Sequence, residues 1–156
     1  MSDEILLHSH DDRGVHTITL NQPKAFNALS EAMMAAFQQA LDAVAADPSA
    51  RVLVLAANGK AFCAGHDLKE MKSKPDQAYY QVLFATCAKL MLSIRKLDVP
   101  VIARVHALAT AAGCQLVAQC DLAVAAQGAR FGVNGIDVGL FCATPSVPLS
   151  RNMGPV

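Results

Sequence analysis

The chain has 156 residues, and its 13 basic and 13 acidic side chains give a formal net charge of zero. Without a basic excess, neither nucleic acid nor an anionic membrane surface is an expected partner. Hydrophobic residues make up 53% of the chain, which suits one domain over residues 1–156 and predicts apolar surface buried against partner subunits.

Features of the N-terminus and of the cysteines predict a soluble protein of the cytoplasm. The first residues, MSDEILLHSHDD, carry acids and a short apolar run, whereas a secretory signal has a basic end and a longer apolar segment. No segment reaches the ~20 apolar residues of a membrane span, so no membrane partner is expected. The five cysteines contain no C-x-x-C pair, and we interpret them as reduced thiols that pack as small hydrophobes.

Hydrophobic periodicity and turn residues predict an alternation of strands and helices. In chain order the predicted elements are strand 15–20, helix 31–46, strand 52–57, helix 76–96, strand 99–108, helix 110–120, and strands 121–127 and 129–133. Ser30 is a good N-cap for the first helix. This alternation is typical of an α/β protein with largely parallel strand pairing.

The isolated histidines and methionines are interpreted structurally. His8, His10 and His16 share a strand-like spacing, but without a cysteine or carboxylate partner they indicate a solvated strand face rather than a metal site. His106, at a strand end, is interpreted as a core or rim histidine. The methionines at positions 33, 34 and 91 are expected in the core.

Two loops of small residues follow two predicted strands. The first lies in AFCAGHDLKEM, 61–71, where Cys63-Ala64-Gly65 stands directly before charged residues. The second runs over 107–113, and an N-cap at Thr110 would leave the N–H groups of residues 111–113 unpaired. One N–H from each loop could bind a developing oxyanion. A purely structural alternative is that both loops are tight because they pack beneath another element.

Three segments together resemble the crotonase, or enoyl-CoA hydratase/isomerase, superfamily. They are NQPKAFNALS (21–30), AFCAGHDLKEM (61–71) and HALATAAGCQLVAQCDLAVAAQGARFG (106–132). The resemblance implies a fold of repeated ββα units, an acyl-CoA thioester substrate in fatty acid metabolism, and a trimer or hexamer. Lyase or isomerase chemistry would follow, with coenzyme A as part of the substrate and with no metal or separate cofactor.

The resemblance also implies roles for individual residues. The backbone amides of His66 and Ala112 would form the oxyanion hole, with Gly65 and Gly113 allowing close approach. Asp67 would fix its loop by accepting N–H bonds. The residues whose backbone would contact the coenzyme are Lys24, Ala25, Ala28, Ala64 and Leu68. The Lys24 side chain could also meet a phosphate.

The chain departs from the family pattern at the positions of the catalytic glutamates. By the resemblance, one glutamate is replaced by Gln115 and the other by Gly135, and neither residue can exchange a proton at neutral pH. The family's Gly-Gly-Gly reads Ala-Ala-Gly here, which narrows the acyl pocket. His66 and Asp137 are the candidates for replacement chemistry.

The function that this pattern predicts is acyl-CoA binding with enolate stabilisation and weak hydratase activity. The chain stops where family members continue, and we interpret it as a fragment or a naturally shortened protein. Whether it is an enzyme is left open. A non-catalytic acyl-CoA binder is one alternative, and a decarboxylase or thioesterase using His66 or Asp137 is another.

Overall fold

The computed structural model describes residues 4–139 and 141–152. The strands are β1 Leu6–His10, β2 Val15–Leu20, β3 Val52–Ala57, β4 Ala61–Cys63, β5 Val101–Val105, β6 Leu108–Thr110, β7 Leu122–Ala125 and β8 Phe131–Gly132. The α-helices are α1 Glu31–Ala46, α2 Leu68–Ser73, α3 Gln77–Arg95, α4 Ala112–Ala118 and α5 Ala143–Asn152, and the 3₁₀ helices are Pro23–Ala25 and Asn134–Val138.

The strands form two sheets. The larger has the order β1-β2-β3-β5-β7 and the smaller the order β4-β6-β8. Strands β1 and β2 pair antiparallel, and the other neighbouring strands in the two sheets pair parallel. After β2 the strands come in consecutive pairs, β3 with β4, β5 with β6 and β7 with β8. The first strand of each pair lies in the large sheet and the second in the small sheet. This arrangement confirms the repeated units and the α/β class predicted from the sequence.

Helices α1 and α3 follow the prediction closely because their ends are chemically marked. The Ser30 hydroxyl accepts a hydrogen bond from Met33 N at 3.1 Å, and Asp76 accepts one from Tyr79 N at 2.9 Å. At its other end α1 stops at Asp47, directly before a proline. The apolar faces of both helices are buried, and the three core methionines are each at most 1% exposed, as predicted.

The single strand predicted over 99–108 is two strands in the structure. β5 lies in the large sheet, and β6 belongs to the small sheet after a break at His106 and Ala107. The prediction was wrong because apolar periodicity does not report which sheet a strand joins. His106 lies exposed at this break, with Nε2 2.8 Å from the Gly59 carbonyl oxygen, and is thus a rim histidine.

His16 corrects the interpretation of the N-terminal histidines as a solvated strand face. His8 and His10 are exposed, but His16 is only 2% exposed. Its Nδ1 lies 3.0 Å from His8 Nε2, and its Nε2 lies 3.1 Å from the Asp47 carboxylate at the end of α1. The sequence did not reveal this carboxylate partner because 31 residues separate the two.

Four of the five cysteines pack as small hydrophobes, as predicted. Cys63, Cys87, Cys114 and Cys120 are buried, and burial raises the pKa of each thiol, to about 12 for Cys63 and Cys120. Within residues 4–139 and 141–152, no helix has the length and hydropathy needed to cross a bilayer. No cluster of three metal-ligating side chains is suitably arranged in those ranges either.

Candidate active site

The loop after β4 requires glycine at position 65. Gly65 has φ of +89°, and an ideal Cβ there would lie 2.9 Å from the Ala111 Cβ and 3.2 Å from Ala112 N. A side chain would therefore meet both an unfavourable backbone conformation and the second loop. The two small-residue loops are thus in direct contact, with His66 directly after the glycine and Ala112 opposite it.

The second loop enters α4 through a strained residue rather than through a side-chain cap. Ala111 precedes the helix with φ of 51° and ψ of −124°, and no side chain caps the helix. The prediction that Thr110 is the N-cap was wrong: Thr110 belongs to β6, and its hydroxyl donates to the Asn134 side chain. Strain in a non-glycine residue is frequently located at functional sites.

Gly113 explains why this helix can approach β4. An ideal Cβ on Gly113 would lie 2.2 Å from the Cys63 carbonyl oxygen. The structural alternative, that the loops are small because they pack tightly, is therefore correct for this position. The oxyanion hypothesis is a separate question, because it concerns the N–H groups of His66 and Ala112 and not the packing around Gly113.

The two amides of the predicted oxyanion hole have no hydrogen-bond acceptor within the described part of the chain. Among the residues that the structure describes, neither His66 N nor Ala112 N donates a hydrogen bond. The N–H groups of the first helical turn have no intrahelical acceptor, which accounts for Ala112. Both residues border the same pocket.

This pocket has a volume of about 180 Å³ and mostly apolar walls. Its walls come from both small-residue loops, from α2 and α3, and from the segment around α5. The lining residues are Ala64, His66, Leu68, Met71, Phe84, Thr110, Ala111, Ala112, Asn134, Gly135, Phe141, Cys142, Thr144 and Pro145. None of these described residues is an aspartate, glutamate, lysine or arginine, so an apolar acyl group fits it better than a charged one.

The His66 imidazole is held neutral at the edge of this pocket. Burial lowers its pKa, because a charged imidazolium is poorly solvated there. Its ring meets the Phe84 ring edge to face at a centroid distance of 5.2 Å, and its buried Nε2 has no hydrogen-bond partner among the described residues. A neutral imidazole can accept a proton and can donate a hydrogen bond through its N–H.

The other candidate catalytic residues are placed differently. Gly135 lines the pocket, whereas Gln115 and Asp137 do not. Gln115 is 5% exposed, and its Oε1 is buried without a partner in the described part of the chain. Asp137 is exposed in the second 3₁₀ helix. Three of the candidates, His66, Ala112 and Gly135, thus line one pocket, and Gln115 lies in the same short helix as Ala112.

The predicted coenzyme-binding residues lie on adjoining loops. Lys24 and Ala25 lie in the first 3₁₀ helix, and Ala28 is buried just beyond it. Two backbone hydrogen bonds join this loop to the loop after β4: Ala64 N to Phe26 O at 3.1 Å, and Leu29 N to Gly65 O at 2.7 Å. Lys24, Ala25 and Ala28 are thus close to Ala64, although they do not line the pocket itself.

Asn27 organises this region and was missed at the sequence level. It is fully buried with φ of 53°, its Oδ1 accepts from Gln22 N at 2.8 Å, and its Nδ2 donates to the carbonyl oxygens of Asn58 and Ala61. The available signal was the asparagine itself, since asparagine adopts left-handed backbone conformations more readily than most residues.

Asp67 accepts backbone N–H bonds, as predicted, and these bonds make it the N-cap of α2. Its carboxylate accepts hydrogen bonds from Lys69 N at 2.9 Å and Glu70 N at 3.1 Å. These bonds start α2 directly after His66, and Leu68, the first residue of the helix, lines the pocket. Asp67 therefore sets the direction in which the chain leaves the site.

Comparison with known proteins identifies the family. The family model for enoyl-CoA hydratase/isomerase matches residues 10–155. The chain belongs to this family. The solved structure of an enoyl-CoA hydratase from Mycobacterium smegmatis superposes with a TM-score of 0.96 at 63% identity, over 98% of this chain and 60% of that one.

Curated relatives extend the comparison. Enoyl-CoA hydratase domain-containing protein 3, mitochondrial, from Xenopus laevis is 49% identical over 90% of this chain and 48% of its own length. The Homo sapiens protein of that name is 46% identical over 88% of this chain and 46% of its own. The chain thus spans about half the length of these relatives.

The same relatives contradict the expected cytoplasmic location, because their names place them in mitochondria. The expectation was based on reduced thiols and on the lack of a secretory signal. Thiols that are not in disulfides do not distinguish the cytoplasm from other reducing compartments. A secretory signal and a mitochondrial address also differ in composition, so a test for one does not test for the other.

Proposed function

We propose that this chain binds an acyl-CoA thioester and stabilises the negative charge that develops on the thioester oxygen. The backbone amides of His66 and Ala112 would donate the two hydrogen bonds. The observation that carries the proposal is the contact at Gly65, where the absence of a side chain places the two loops together beside one apolar pocket. A single donor of this kind is typically worth ~2.7–4 kcal/mol of transition-state stabilisation.

The rest of the thioester would follow the adjoining loops. Backbone groups of Lys24, Ala25, Ala28, Ala64 and Leu68 are proposed to contact the coenzyme, with the acyl group in the pocket. The hydrogen bonds between the 26–29 and 64–66 segments hold these groups on one continuous surface. Coenzyme A enters as part of the substrate, and no separate cofactor is proposed.

Hydratase turnover is proposed to be weak. Hydration needs one group to activate water and another to deliver a proton, each worth about 10²–10⁴-fold. If positions 115 and 135 are those of the family glutamates, Gln115 cannot accept a proton and Gly135 has no side chain. The pocket walls described above also contain no carboxylate.

The test is to restore both carboxylates. Gln115→Glu combined with Gly135→Glu should raise crotonyl-CoA hydration at least ~100-fold above the unmodified chain. Gln127→Glu with Gly128→Glu adds the same charge at exposed positions and is the matched control, expected to change nothing. Efficient hydration by the unmodified chain would refute the proposal.

A second candidate function is a crotonase-type thioesterase or decarboxylase. The neutral imidazole of His66 at the pocket favours His66 over the exposed Asp137 as its catalytic group. Release of free thiol from acyl-CoA would favour the thioesterase, and release of CO₂ from a carboxyacyl-CoA would favour the decarboxylase; either activity should be lost in His66→Phe. Tight binding with no turnover of any kind would instead favour a non-catalytic acyl-CoA binder.

The chain is further proposed to assemble as a trimer or a hexamer. An apolar surface, called here the β7–α5 face, supports this; it consists of Leu122, Val124, Phe131, Val133, Ile136, Phe141 and Val147, each at least 40% exposed. Leu122, Phe131 and Val133 border one surface cavity, and large exposed apolar side chains that adjoin one another mark interaction sites.

A further inference from the structure

Helix α2 forms one wall of the pocket but is too short to be stable without contacts to other elements. Its residues Leu68 and Met71 line the pocket, and the helix has only six residues. A helix this short is not stable alone in water, because nucleation is unfavourable and few hydrogen bonds follow it. Its position must therefore come from contacts with neighbouring elements.

The contact on its polar side is a carboxylate placed at the start of α1. Glu70 Oε2 accepts a hydrogen bond from Glu31 N at 2.9 Å. Glu31 is the first residue of α1, where the N–H groups have no intrahelical acceptor and the helix dipole favours negative charge. A second contact holds the other side, where the Tyr80 hydroxyl donates to the Met71 carbonyl oxygen at 3.0 Å.

A neighbouring ion pair contributes less. Lys74 Nζ lies 3.1 Å from Glu31 Oε1, but the two side chains are 55% and 48% exposed. Exposed pairs of this kind contribute little, since solvent screens the charges and both side chains lose rotamer freedom. The Glu70 carboxylate instead accepts a charge-assisted hydrogen bond from a backbone N–H at the start of a helix. Only one flexible side chain has to be ordered for this bond, so it is the stronger link between α2 and α1.

We propose that Glu70 is a positioning residue for acyl-chain recognition. By capping α1 it holds α2 in the orientation that sets Leu68 and Met71 against the acyl group, although Glu70 does not itself line the pocket. This inference rests on the proposed function, since it assigns the pocket to the acyl part of an acyl-CoA thioester.

The experiment compares Glu70→Ala, Glu70→Gln and Lys72→Gln in the full chain. Glutamine keeps an oxygen that can accept from Glu31 N, and Lys72 is an exposed residue of the same helix that serves as control. Calorimetry gives the Kd of hexanoyl-CoA and of free coenzyme A for each variant. Amide hydrogen exchange over residues 68–73 reports the order of α2 without any ligand.

Glu70→Ala should speed exchange in α2 and weaken hexanoyl-CoA binding about fivefold, the equivalent of one lost capping interaction. Free coenzyme A should lose clearly less affinity than hexanoyl-CoA, because from α2 it would meet the Leu68 backbone but not the pocket-lining side chains of Leu68 and Met71. Glu70→Gln should restore binding to within about twofold, and Lys72→Gln should match the unmodified chain.

Three results would overturn the inference. Unchanged exchange in Glu70→Ala would show that Glu70 does not hold α2. An equal loss of affinity for both ligands would show a general structural role instead. If the unmodified chain binds hexanoyl-CoA no better than coenzyme A, both the proposed function and the role of Glu70 in acyl recognition are refuted. The exchange data would still show separately whether Glu70 orders α2.

Discussion

Gly113 and Gly128 show how differently two glycines can depend on their surroundings. A Cβ at Gly113 would lie 2.2 Å from a backbone oxygen, while at Gly128 no described atom lies within 4 Å. The first contact is with main chain of β4, which cannot move aside as a flexible side chain could. The space around each residue therefore fixes which substitution the fold tolerates.

We expect Gly113→Ala to reduce the free energy of unfolding by at least ~3 kcal/mol, since overpacking against rigid backbone exceeds the usual range for core insertions. Gly128→Ala should change it by less than ~0.5 kcal/mol, as is usual for surface substitutions. Urea denaturation followed by circular dichroism measures both. Similar stability of the two variants would contradict the packing of α4 on β4.

At position 111 we expect glycine to be more favourable than alanine for the stability of the fold. Its φ of 51° with ψ of −124° is a conformation that disfavours a Cβ, and strain of this kind amounts to ~1–3 kcal/mol. Ala111→Gly should therefore raise the free energy of unfolding by about 1 kcal/mol, after the extra entropy of glycine in the unfolded chain is subtracted.

The control for Ala111→Gly is Ala118→Gly at the end of α4, where the backbone is helical. Glycine there should lower the free energy of unfolding by roughly 0.5–1 kcal/mol. Two variants with the same chemical change should thus move the urea midpoint in opposite directions. A loss of stability in both would show that Ala111 is not strained.

At the scale of elements, a chain of titratable groups joins the β1–β2 hairpin to the end of α1. With both rings neutral, His8 Nε2–H can donate to His16 Nδ1, and His16 Nε2–H can donate to Asp47. Partial burial lowers the pKa of His8, and the neighbouring His16 and His10 lower it further. Protonating His8 is therefore less favourable in the folded chain than in the unfolded one.

A lowered folded-state pKa means that the unfolded chain binds more protons below its own value of about 6.5. The free energy of unfolding should therefore fall as the pH is lowered from about 6.5 towards 5. His66, whose pKa is lowered by burial, acts in the same direction. His8→Asn should flatten the dependence, and Ser9→Asn, on the other face of β1, should keep it.

Urea titrations at pH 7.5, 6.5 and 5.5 provide the measurement. An unchanged slope against pH in His8→Asn would show that the hairpin histidine does not couple folding to protons.

An element can be predicted from the sequence when the interactions that form it are between residues close together in the chain. Helix α1 was predicted to the residue because Ser30 and Asp47-Pro48 mark its ends chemically. The small β4-β6-β8 sheet was not recognised because its strands have only two or three residues each and are held by long-range parallel pairing, which leaves no periodicity in the sequence.

The same distinction applies to the candidate site. The two loops were located because small residues after strands are a local pattern. The role of Asp67 came from the family resemblance, and the bonds that fulfil it are local. The placement of Gln115 away from the pocket walls, and the strain at Ala111, arise from the packing of α4 on β4. Those features are tertiary, so the motif alone could not show them.

At the scale of the whole molecule, the proposed assembly predicts that copies of the chain meet through the β7–α5 face. Val124 is 63% exposed on β7, an edge strand of the large sheet. Val124→Lys should weaken self-association at least ~10-fold, because a buried valine contributes roughly 1.5–3 kcal/mol and a lysine would bring an unpaired charge into the contact. Sedimentation velocity at micromolar concentration measures the change.

Val82→Lys is the matched control, since Val82 is 66% exposed on α3 and is not one of the residues of this face. It should leave the sedimentation coefficient unchanged. A chain that is already monomeric before substitution would contradict the proposed assembly.

The contact between Gly65 and Ala112 also has a kinetic consequence. Because packing within the folded chain sets these two peptide groups side by side, a ligand that uses both would find them in place on arrival. Little reorganisation would then slow its capture, so association rates should vary little among thioesters that share one coenzyme. Discrimination between acyl groups would accordingly reside in how long each one stays bound.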